Sequence, residues 1–452
     1  MRSLFKYIII FPLLLIAYSA FADASFLSKY EKAPLPKLKL PKVDFVELEN
    51  GMKIFILEDH TLPEVRVKAL IKTGAIYDLK DKVGTANLVG MTMRNGGAGQ
   101  LSPEEFDTKI DFLGAGISSV ISREYGESYL QVLSNDLDEG LSLFFDMIFK
   151  PCFDEKRINV AKRELIENLK REKDNPGHLA SIKFRQMVYG KNSPWARRPD
   201  KKSIDRITKS DILNVHTKYF KPRNVILAIS GDFKKHKIIK QIKAMTGTLP
   251  NTAIQFPKVE SVMLEFKPGN KYIYKNLKQS FVRMGHLGMK RHNPDWFSSF
   301  VLSHIFGAGS FSSRLMQEIR VKRGMAYSVW GLINQDVDYG LFVVGLSTKA
   351  NQSQMAIDLV RKEIDRIVVG GDITPAEVAF AKRAILGSLI FELEDPFNIV
   401  SDMARHEYYG YPRNYLETAY RKVEQVTIDD VKKSAKKYIH PDGLKILILG
   451  PK

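Results

Sequence analysis

Apolar and polar residues alternate over several short stretches in the first half of the chain, and this alternation predicts β-strands. The stretch 45–59, FVELENGMKIFILED, holds two such runs separated by an Asn-Gly dipeptide, which is typical of a tight hairpin turn. The stretches 67–74 (VKALIKTG) and 122–134 (SREYGESYLQVLS) predict two further strands. Between them, apolar residues recur at helical spacing in 102–115 (SPEEFDTKIDFLGA), whose leading serine and acidic residues mark a helix start.

One pattern of residues occurs twice, in segments 170–231 and 392–450. Each copy predicts a helix that begins after a capping threonine with an aspartate three residues later and ends near Tyr-x-x-Pro. An apolar strand follows in each copy, VILAISG in the first and LKILILG in the second. Four positions correspond at a constant offset of 219 residues: Thr208, Asp211, Tyr219 and Pro222 with Thr427, Asp430, Tyr438 and Pro441.

The repeat predicts two homologous halves of roughly 200 residues each. We predict an α+β fold in which each half is a mostly antiparallel sheet packed with helices. The predicted organisation is a leader at 1–22, an N-terminal extension at 23–40, a first domain at 41–244, a linker at 245–260 and a second domain at 261–452.

The start of the chain differs from the rest. Arg2 and Lys6 precede an apolar run at 7–21, which leads into an Ala-Phe-Ala sequence before Asp23. A basic start, a short apolar centre and small residues at the exit are typical of a secretory signal peptide. We therefore expect export, with the bacterial periplasm as destination and no membrane span after cleavage. The alternative is an uncleaved anchor.

The formal net charge of the chain is +18. Such a charge favours acidic peptides, membrane surfaces or nucleic acid, yet the lysines and arginines are scattered along helices, and no nucleic-acid motif accompanies them. A solvated basic surface is the better interpretation, and no nucleic-acid partner is expected. The single cysteine, Cys152, cannot form an internal disulfide. Its apolar neighbourhood, FKPCF, predicts a buried residue rather than a reactive thiol.

With these features the chain resembles the pitrilysin/insulinase family of zinc metallopeptidases (inverzincins), in particular its two-subunit members related to mitochondrial processing peptidase. The resemblance extends from the hairpin at 45–59 to the closing strand. In that family a helix carries Gly-x-Ala-His-x-x-Glu-His-Met, whose two histidines bind zinc and whose glutamate activates the zinc-bound water. Here GTANLVGMTM, residues 84–93, occupies the place of that motif.

The residues at the motif positions do not suit zinc catalysis. Asn87 stands at the first histidine, Gly90 at the glutamate and Met91 at the second histidine, while Asn168 stands where the resemblance places the third ligand. A neutral amide and a thioether are poor ligands for catalytic zinc, and glycine has no side chain to accept a proton. We therefore expect no metal and no catalytic residue in this chain alone.

The second half retains a different family feature in GSFSSRLMQEIRVKRGMAYSVWG, residues 309–331. The resemblance implies that Arg320 and Tyr327 bind substrate across the chamber, donating hydrogen bonds to the carbonyl at the scissile bond. The alternative is a solvated helix residue and a packed strand residue. Segment 116–127 corresponds to the family's edge strand, which either binds an extended peptide by strand addition or is an ordinary amphipathic strand.

These expectations combine into one hypothesis. The chain would be the exported non-catalytic subunit of a heterodimeric zinc peptidase, pairing with a catalytic family member that holds the zinc and shares the peptide substrate. One alternative is a structural or peptide-binding homologue without a role in proteolysis. The other is a standalone peptidase that uses different residues.

Overall fold

The computed structural model describes residues 38–451. The predicted leader and most of the predicted extension lie outside this range. Segments of alternating apolar residues form two main sheets, one from each half of the sequence. The first sheet consists of β1 (Asp44–Glu47), β2 (Lys53–Glu58), β3 (Glu64–Ile71), β4 (Gly116–Ile121), β5 (Gly126–Leu133) and β6 (Val225–Gly231).

The second sheet is built from residues 269–450, and a two-stranded ladder accompanies it. The five strands of the sheet are β7 (Gly269–Tyr274), β8 (Gln279–Leu287), β10 (Ala326–Ile333), β12 (Leu341–Lys349) and β13 (Lys445–Gly450). The short ladder pairs β9 (Met289–Lys290) with β11 (Gln335–Asp336).

Helices cover these sheets and carry most of the connections. In the first half they are α1 (Thr85–Asn95), α2 (Pro103–Phe112), α3 (Leu137–Phe149), α4 (Glu155–Arg171), α5 (Pro176–Tyr189), α6 (Lys201–Asp205), α7 (Lys209–Tyr219) and α8 (Lys235–Thr246). In the second half they are α9 (Trp296–Ser303), α10 (Ser353–Val368), α11 (Pro375–Glu392), α12 (Pro396–Tyr408), α13 (Tyr415–Gln425) and α14 (Ile428–Tyr438), with π-helical segments at His304–Ala308 and Met316–Val321. None of the helices within residues 38–451 is both long and apolar enough to cross a membrane.

The two sheets share a five-strand arrangement, to which the first sheet adds β1. The first has the order β1-β2-β6-β3-β5-β4, and the second, taken from the other end, has the order β7-β13-β8-β12-β10. In each, the closing strand pairs in parallel with an early strand, β6 with β2 and β13 with β7, while the remaining pairs are antiparallel. Strand β10 therefore corresponds to β4 at one edge. The predicted α+β fold of two similar, mostly antiparallel halves is confirmed.

The predicted helix starts at the repeat are also confirmed. Thr208 and Thr427 each accept a hydrogen bond from the backbone N–H of the aspartate three residues later, and that carboxylate accepts one in return from the threonine N–H. Such reciprocal caps satisfy backbone N–H groups that the first helical turn leaves free. Helix α8 ends at Thr246, and residues 247–268, which include most of the predicted linker, contain neither helix nor strand.

Each half contributes one helix that packs on the sheet of the other half. Helix α5 of the first half packs on β8 and β13 of the second sheet, and α12 of the second half packs on β6 and β2 of the first. Both helices begin with proline after an acceptor side chain, Asn175 for α5 and Asp395 for α12. The Asp395 carboxylate also forms a bidentate pair with Arg66 of the first sheet, at 2.6 and 2.9 Å. This reciprocal packing fixes the two halves against each other through apolar contacts, as between Phe397 and the first sheet.

The prediction that Cys152 is buried is wrong. The cysteine is exposed, and its neighbour Phe153 fills the interior instead. Phe153 has a positive φ of 51°, and this turn directs its ring into the core while the cysteine side chain points outward. The Cys152 Sγ lies 3.8 Å from the carbonyl oxygens of Gly99 and Leu101. Partial burial raises the pKa of the Cys152 thiol, so exposure does not make it a reactive thiolate.

Candidate functional site

Helix α1 carries the degenerate motif and is held at its first turn by a buried carboxylate. The Asp78 Oδ2 accepts a hydrogen bond from the Gly84 N–H at 2.8 Å, and Oδ1 accepts one from the Ala86 N–H at 3.0 Å. Burial raises the pKa of Asp78 to about 6, although the two N–H donors oppose the rise. No sequence pattern identifies this residue, because it caps the helix from outside the usual N-cap position.

The three motif residues lie on α1 but do not form a metal site. Met91 is partly buried and packs against the core of the first half. Asn87 is partly exposed and lines a cavity of about 440 Å³ between the two halves. Gly90 is buried and faces the edge strand β4. Met91 thus packs against the core, Asn87 faces the cavity and Gly90 lies against the β4 backbone. None of the three supplies a suitable zinc ligand or a general base.

The contact at Gly90 leaves no space for a larger residue. A Cβ added there would lie 2.7 Å from the Ile121 backbone nitrogen and 3.1 Å from the Val120 backbone, both in β4. The second half contains a related contact, where a Cβ on Gly307 would lie 2.3 Å from the Gly331 nitrogen of β10. In both halves glycine therefore lets a helix approach the edge strand closely, and at Gly90 this closes the position of the family's glutamate.

Helix α4 packs on α1, so the element that carries the predicted third ligand position is adjacent to the motif helix. Asn168 is exposed on α4 and neutral, and its neighbour Glu167 forms an ion pair with Lys170 at 2.7 Å. Within residues 38–451 no group of three or more histidine, cysteine, aspartate or glutamate side chains is placed to hold a metal ion. The residues present at the motif do not fit zinc.

Arg320 and Tyr327 lie together at the surface of the second half. Arg320 belongs to the π-helical segment Met316–Val321, and Tyr327 lies near the start of the edge strand β10. The Arg320 guanidinium carbon is 4.7 Å from the centre of the Tyr327 ring and 4.6 Å from that of Phe311. Tyr327 is 79% exposed. The structure thus brings the predicted pair together, and stacking on two rings holds the guanidinium in place.

The segment that carries Arg320 is fixed to α11 by a nearby ion pair. Arg314 donates to Glu377 through Nε at 2.6 Å and Nη2 at 2.8 Å. Glu377 is also part of the capping box of α11, since its Oε2 accepts from the Thr374 N–H at 2.9 Å. The Glu377 carboxylate therefore links the start of α11 to Arg314, six residues before Arg320.

Strand β4 is the edge of the first sheet, as the sequence suggested. Its single partner within residues 38–451 is β5. Ser118 and Val120 are exposed on one face, while Ile117 and Ile121 point into the core. Helix α1 packs against the end of this strand near Gly90.

Sequence reasoning missed the arginines around the cavity at Asn87. Arg123, Arg185, Arg197, Arg198 and Arg283 all line it. They come from three separate parts of the chain, Arg123, the stretch 185–198 and Arg283, and no sequence spacing links these parts. The only signal was the high net charge, which was attributed to a solvated surface.

Two family models match the chain. One, described as "Insulinase (Peptidase family M16)", matches residues 53–192, and the other, described as "Peptidase M16 inactive domain", matches residues 206–385. A "non-peptidase homolog YmxG" of Helicobacter pylori is 25% identical over 410 residues, covering 89% of this chain and 93% of its own. An uncharacterised zinc protease of Streptomyces coelicolor is 26% identical over 348 residues, covering 75% of each chain.

Solved structures share the fold. The crystal structure of a peptidase M16 inactive domain from Pseudomonas fluorescens aligns with a TM-score of 0.83 at 26% identity, covering 91% of this chain and 98% of that one. The periplasmic protease PqqL of Escherichia coli aligns with a TM-score of 0.77 at 14% identity, covering 93% of this chain but 47% of its own. This chain therefore corresponds in length to about half of that protease.

Proposed function

Because this chain belongs to the insulinase family of peptidases, family M16, we propose that it is the exported, non-catalytic subunit of a heterodimeric zinc metallopeptidase. Its partner would be a family member with an intact His-x-x-Glu-His motif, and zinc would be held by that partner. The substrate would be a peptide or protein fragment enclosed between the two subunits.

The pair of a half-buried Arg320 and an exposed Tyr327 is the observation that carries this proposal. Within residues 38–451 neither side chain forms an ion pair or a side-chain hydrogen bond, and their interactions are ring contacts. The guanidinium N–H groups and the phenol O–H are therefore free to donate to a group outside the chain. Two donors on adjacent elements suit a peptide carbonyl that becomes an oxyanion during hydrolysis.

The fixed relation of the two halves supports a second chain as the source of the zinc. Helices α5 and α12 each pack on the sheet of the opposite half, so the halves cannot move apart without exposing apolar surface. A catalytic site opposite Arg320 would then have to belong to a separate subunit. The match to about half of PqqL fits a unit that works with a second unit of similar size.

Reconstitution tests the proposal. The mature chain would be mixed with a family member from the same genome that retains His-x-x-Glu-His, and hydrolysis of a quenched fluorescent peptide library would be followed. We expect activity from the mixture and none from this chain alone. Arg320→Ala and Tyr327→Phe should each lower kcat by about 10²-fold or more, as loss of an oxyanion donor does, while the complex still forms in size-exclusion chromatography.

Arg323→Ala is the matched control, because Arg323 lies three residues after Arg320 and pairs with Glu318 instead. It should leave kcat unchanged. Full activity of the Arg320→Ala and Tyr327→Phe complexes would exclude the proposed role of the pair. A stable complex without activity would favour the structural or peptide-binding homologue, and a zinc-loaded, active single chain would overturn the proposal.

A further inference from the structure

The cavity of about 440 Å³ at the junction of the halves is lined by five arginines, and no acidic side chain among residues 38–451 lines it. We call it the arginine pocket. It is defined by Arg123, Arg185, Arg197, Arg198 and Arg283. Because it lies within this one chain, its properties do not depend on a catalytic partner.

Acidic groups behind the walls offset only part of this charge. Arg123 forms ion pairs with Glu124 and Asp336, and Arg198 pairs with Glu172. Arg185 lies 3.6 Å from the same Asp336 carboxylate. Three carboxylates thus form ion pairs with three of the arginines, whereas Arg197 and Arg283 have no ion-pair partner in the part of the chain that the structure describes.

Arg283 is the more unusual of these two, because its side chain is buried at 7% exposure. Its donors meet neutral acceptors only: Nε the Ser181 hydroxyl at 3.0 Å, Nη1 the Val282 carbonyl at 2.9 Å and Nη2 the Gly177 carbonyl at 2.9 Å. Burial lowers the pKa of Arg283 to about 10, with no acidic group to oppose it. A buried charge without a counter-ion is costly, and an anion in the pocket would offset that cost.

Arg197 and Arg185 each have a buried guanidinium nitrogen that forms no hydrogen bond within residues 38–451. The Nη2 group of Arg197 donates to the carbonyls of Ala75, Ile76 and Asp78, but its buried Nε has no partner. The Asp78 carboxylate lies nearby and is committed to the amides at the start of α1. Arg185 donates through Nε to the Trp195 carbonyl, while its buried Nη2 forms no hydrogen bond within residues 38–451 and has only the Asp336 carboxylate 3.6 Å away. Buried donors without acceptors are rare and point to a missing ligand.

The rest of the pocket is apolar. Phe184 and Trp195 line one part, and Trp330, Leu341 and Val343 line another. The Arg283 guanidinium lies 5.5 Å from the Trp330 ring centre. An inorganic anion would leave these apolar walls without contact, whereas a carboxylate joined to an apolar side chain would use both parts of the pocket.

We propose that the arginine pocket binds the free C-terminal carboxylate of a peptide whose last side chain is apolar. The guanidinium of Arg283 faces the carboxylate, since planar guanidinium groups bind carboxylates in a bidentate manner. Arg197 and Arg185 supply the additional donors, and the last side chain packs between Trp195 and Trp330. The volume accommodates one or two residues and not a long segment, so the pocket selects peptide ends.

Calorimetric titration of the purified full chain tests this proposal. The probes are N-acetyl-Ala-Leu with a free carboxylate, the same dipeptide as its carboxamide, and inorganic phosphate. We expect the acid to bind at least tenfold more tightly than the amide and than phosphate, and its affinity to fall with added salt. Arg283→Met, which keeps an unbranched apolar stem, should weaken binding of the acid by tenfold or more.

The exposed Arg421→Met is the control for the loss of one positive charge, and it should leave the affinity unchanged. If Arg283→Met does not fold, the comparison of acid and amide on the unchanged chain still decides the question. Equal binding of acid and amide, or an unchanged affinity in a folded Arg283→Met variant, would overturn the proposal. Phosphate binding as tight as the acid would also overturn it, because the pocket would then be a general anion site.

Discussion

Gly90 of α1 contacts the backbone of Ile121 so closely that a Cβ at position 90 would lie 2.7 Å from the Ile121 nitrogen. The glutamate that the family places here would therefore collide with the edge strand. The mismatch with the family's zinc motif therefore involves the distance between a helix and a strand as well as the identity of three side chains.

Gly90→Ala should destabilise the chain by about 1–3 kcal/mol, because the added methyl group overpacks a backbone contact. Gly387→Ala is the matched control, since Gly387 lies inside α11 with open space at its Cβ position. There alanine should stabilise the chain by about 0.5–1 kcal/mol through helix propensity. Urea unfolding of both variants measures the difference. Equal effects would contradict the tight contact.

Restoring the motif should not restore a zinc site. Asn87→His with Met91→His should leave a folded chain, since both positions are only partly buried. Adding Gly90→Glu should lower the melting temperature sharply, because a larger side chain at a site without space strains the backbone. Elemental analysis after dialysis should find less than one zinc per chain in either variant. A triple variant with unchanged melting temperature and one bound zinc would refute this expectation.

His216 should make stability fall on acidification. It lies between the rings of Phe153 and Phe220 with its Nε2 2.8 Å from the Ile148 carbonyl, and burial lowers its pKa to about 4. Because the folded-state pKa is below the usual 6.5, this contribution is complete above pH 6.5 and is lost as pH falls toward 4. At pH 5 the loss amounts to about 2 kcal/mol.

The comparison that isolates this group is His216→Phe against the unchanged chain, with urea unfolding at pH 7.5 and pH 5. The variant should be less stable at pH 7.5, because the Ile148 carbonyl loses its partner. The gap should narrow at pH 5, because His216 is then protonated in the unfolded chain but stays mostly neutral in the folded chain. His236→Gln, at an exposed histidine, should show a constant difference. A gap that stays the same at both pH values would contradict the assignment.

Removal of the Arg314 guanidinium should loosen the segment that carries Arg320. Arg314→Met leaves Glu377 without its bidentate partner in a partly buried setting, so stability should fall by about 1–3 kcal/mol. Arg314→Met with Glu377→Gln should cost less than the sum of the single changes, because the two residues interact directly. Thermal unfolding of the four proteins measures the coupling. Strict additivity would show that the pair contributes nothing.

Local features of the fold could be predicted from the sequence, and contacts between distant residues could not. Thr208 and Thr427 were recognisable as helix caps because each interacts with a residue three positions away. The hairpin at 45–59 was equally local. Cys152 was misplaced because apolar neighbours do not reveal which residue of an irregular turn points inward.

The site shows the same limit. Motif comparison identified Asn87 and Arg320, but it could not show that Gly90 lies against β4, because that contact depends on the packing of two elements. The reciprocal packing of α5 and α12 brings Arg283 of the second half against Ser181 of the first, 102 positions earlier. No pattern in either segment predicts this contact, so the arginine pocket can be recognised only in the folded structure.

The parallel pairing of opening and closing strands constrains how the protein is made. Strand β7 has β13 as its only partner within residues 38–451, although the two are separated by nearly all of the second half. During synthesis, β7 must stay unpaired while the intervening helices and strands emerge, and long-range pairing of this kind is slow. For that interval the newly made second half exposes backbone groups that lack a strand partner, and a chaperone that shields extended segments would raise its yield.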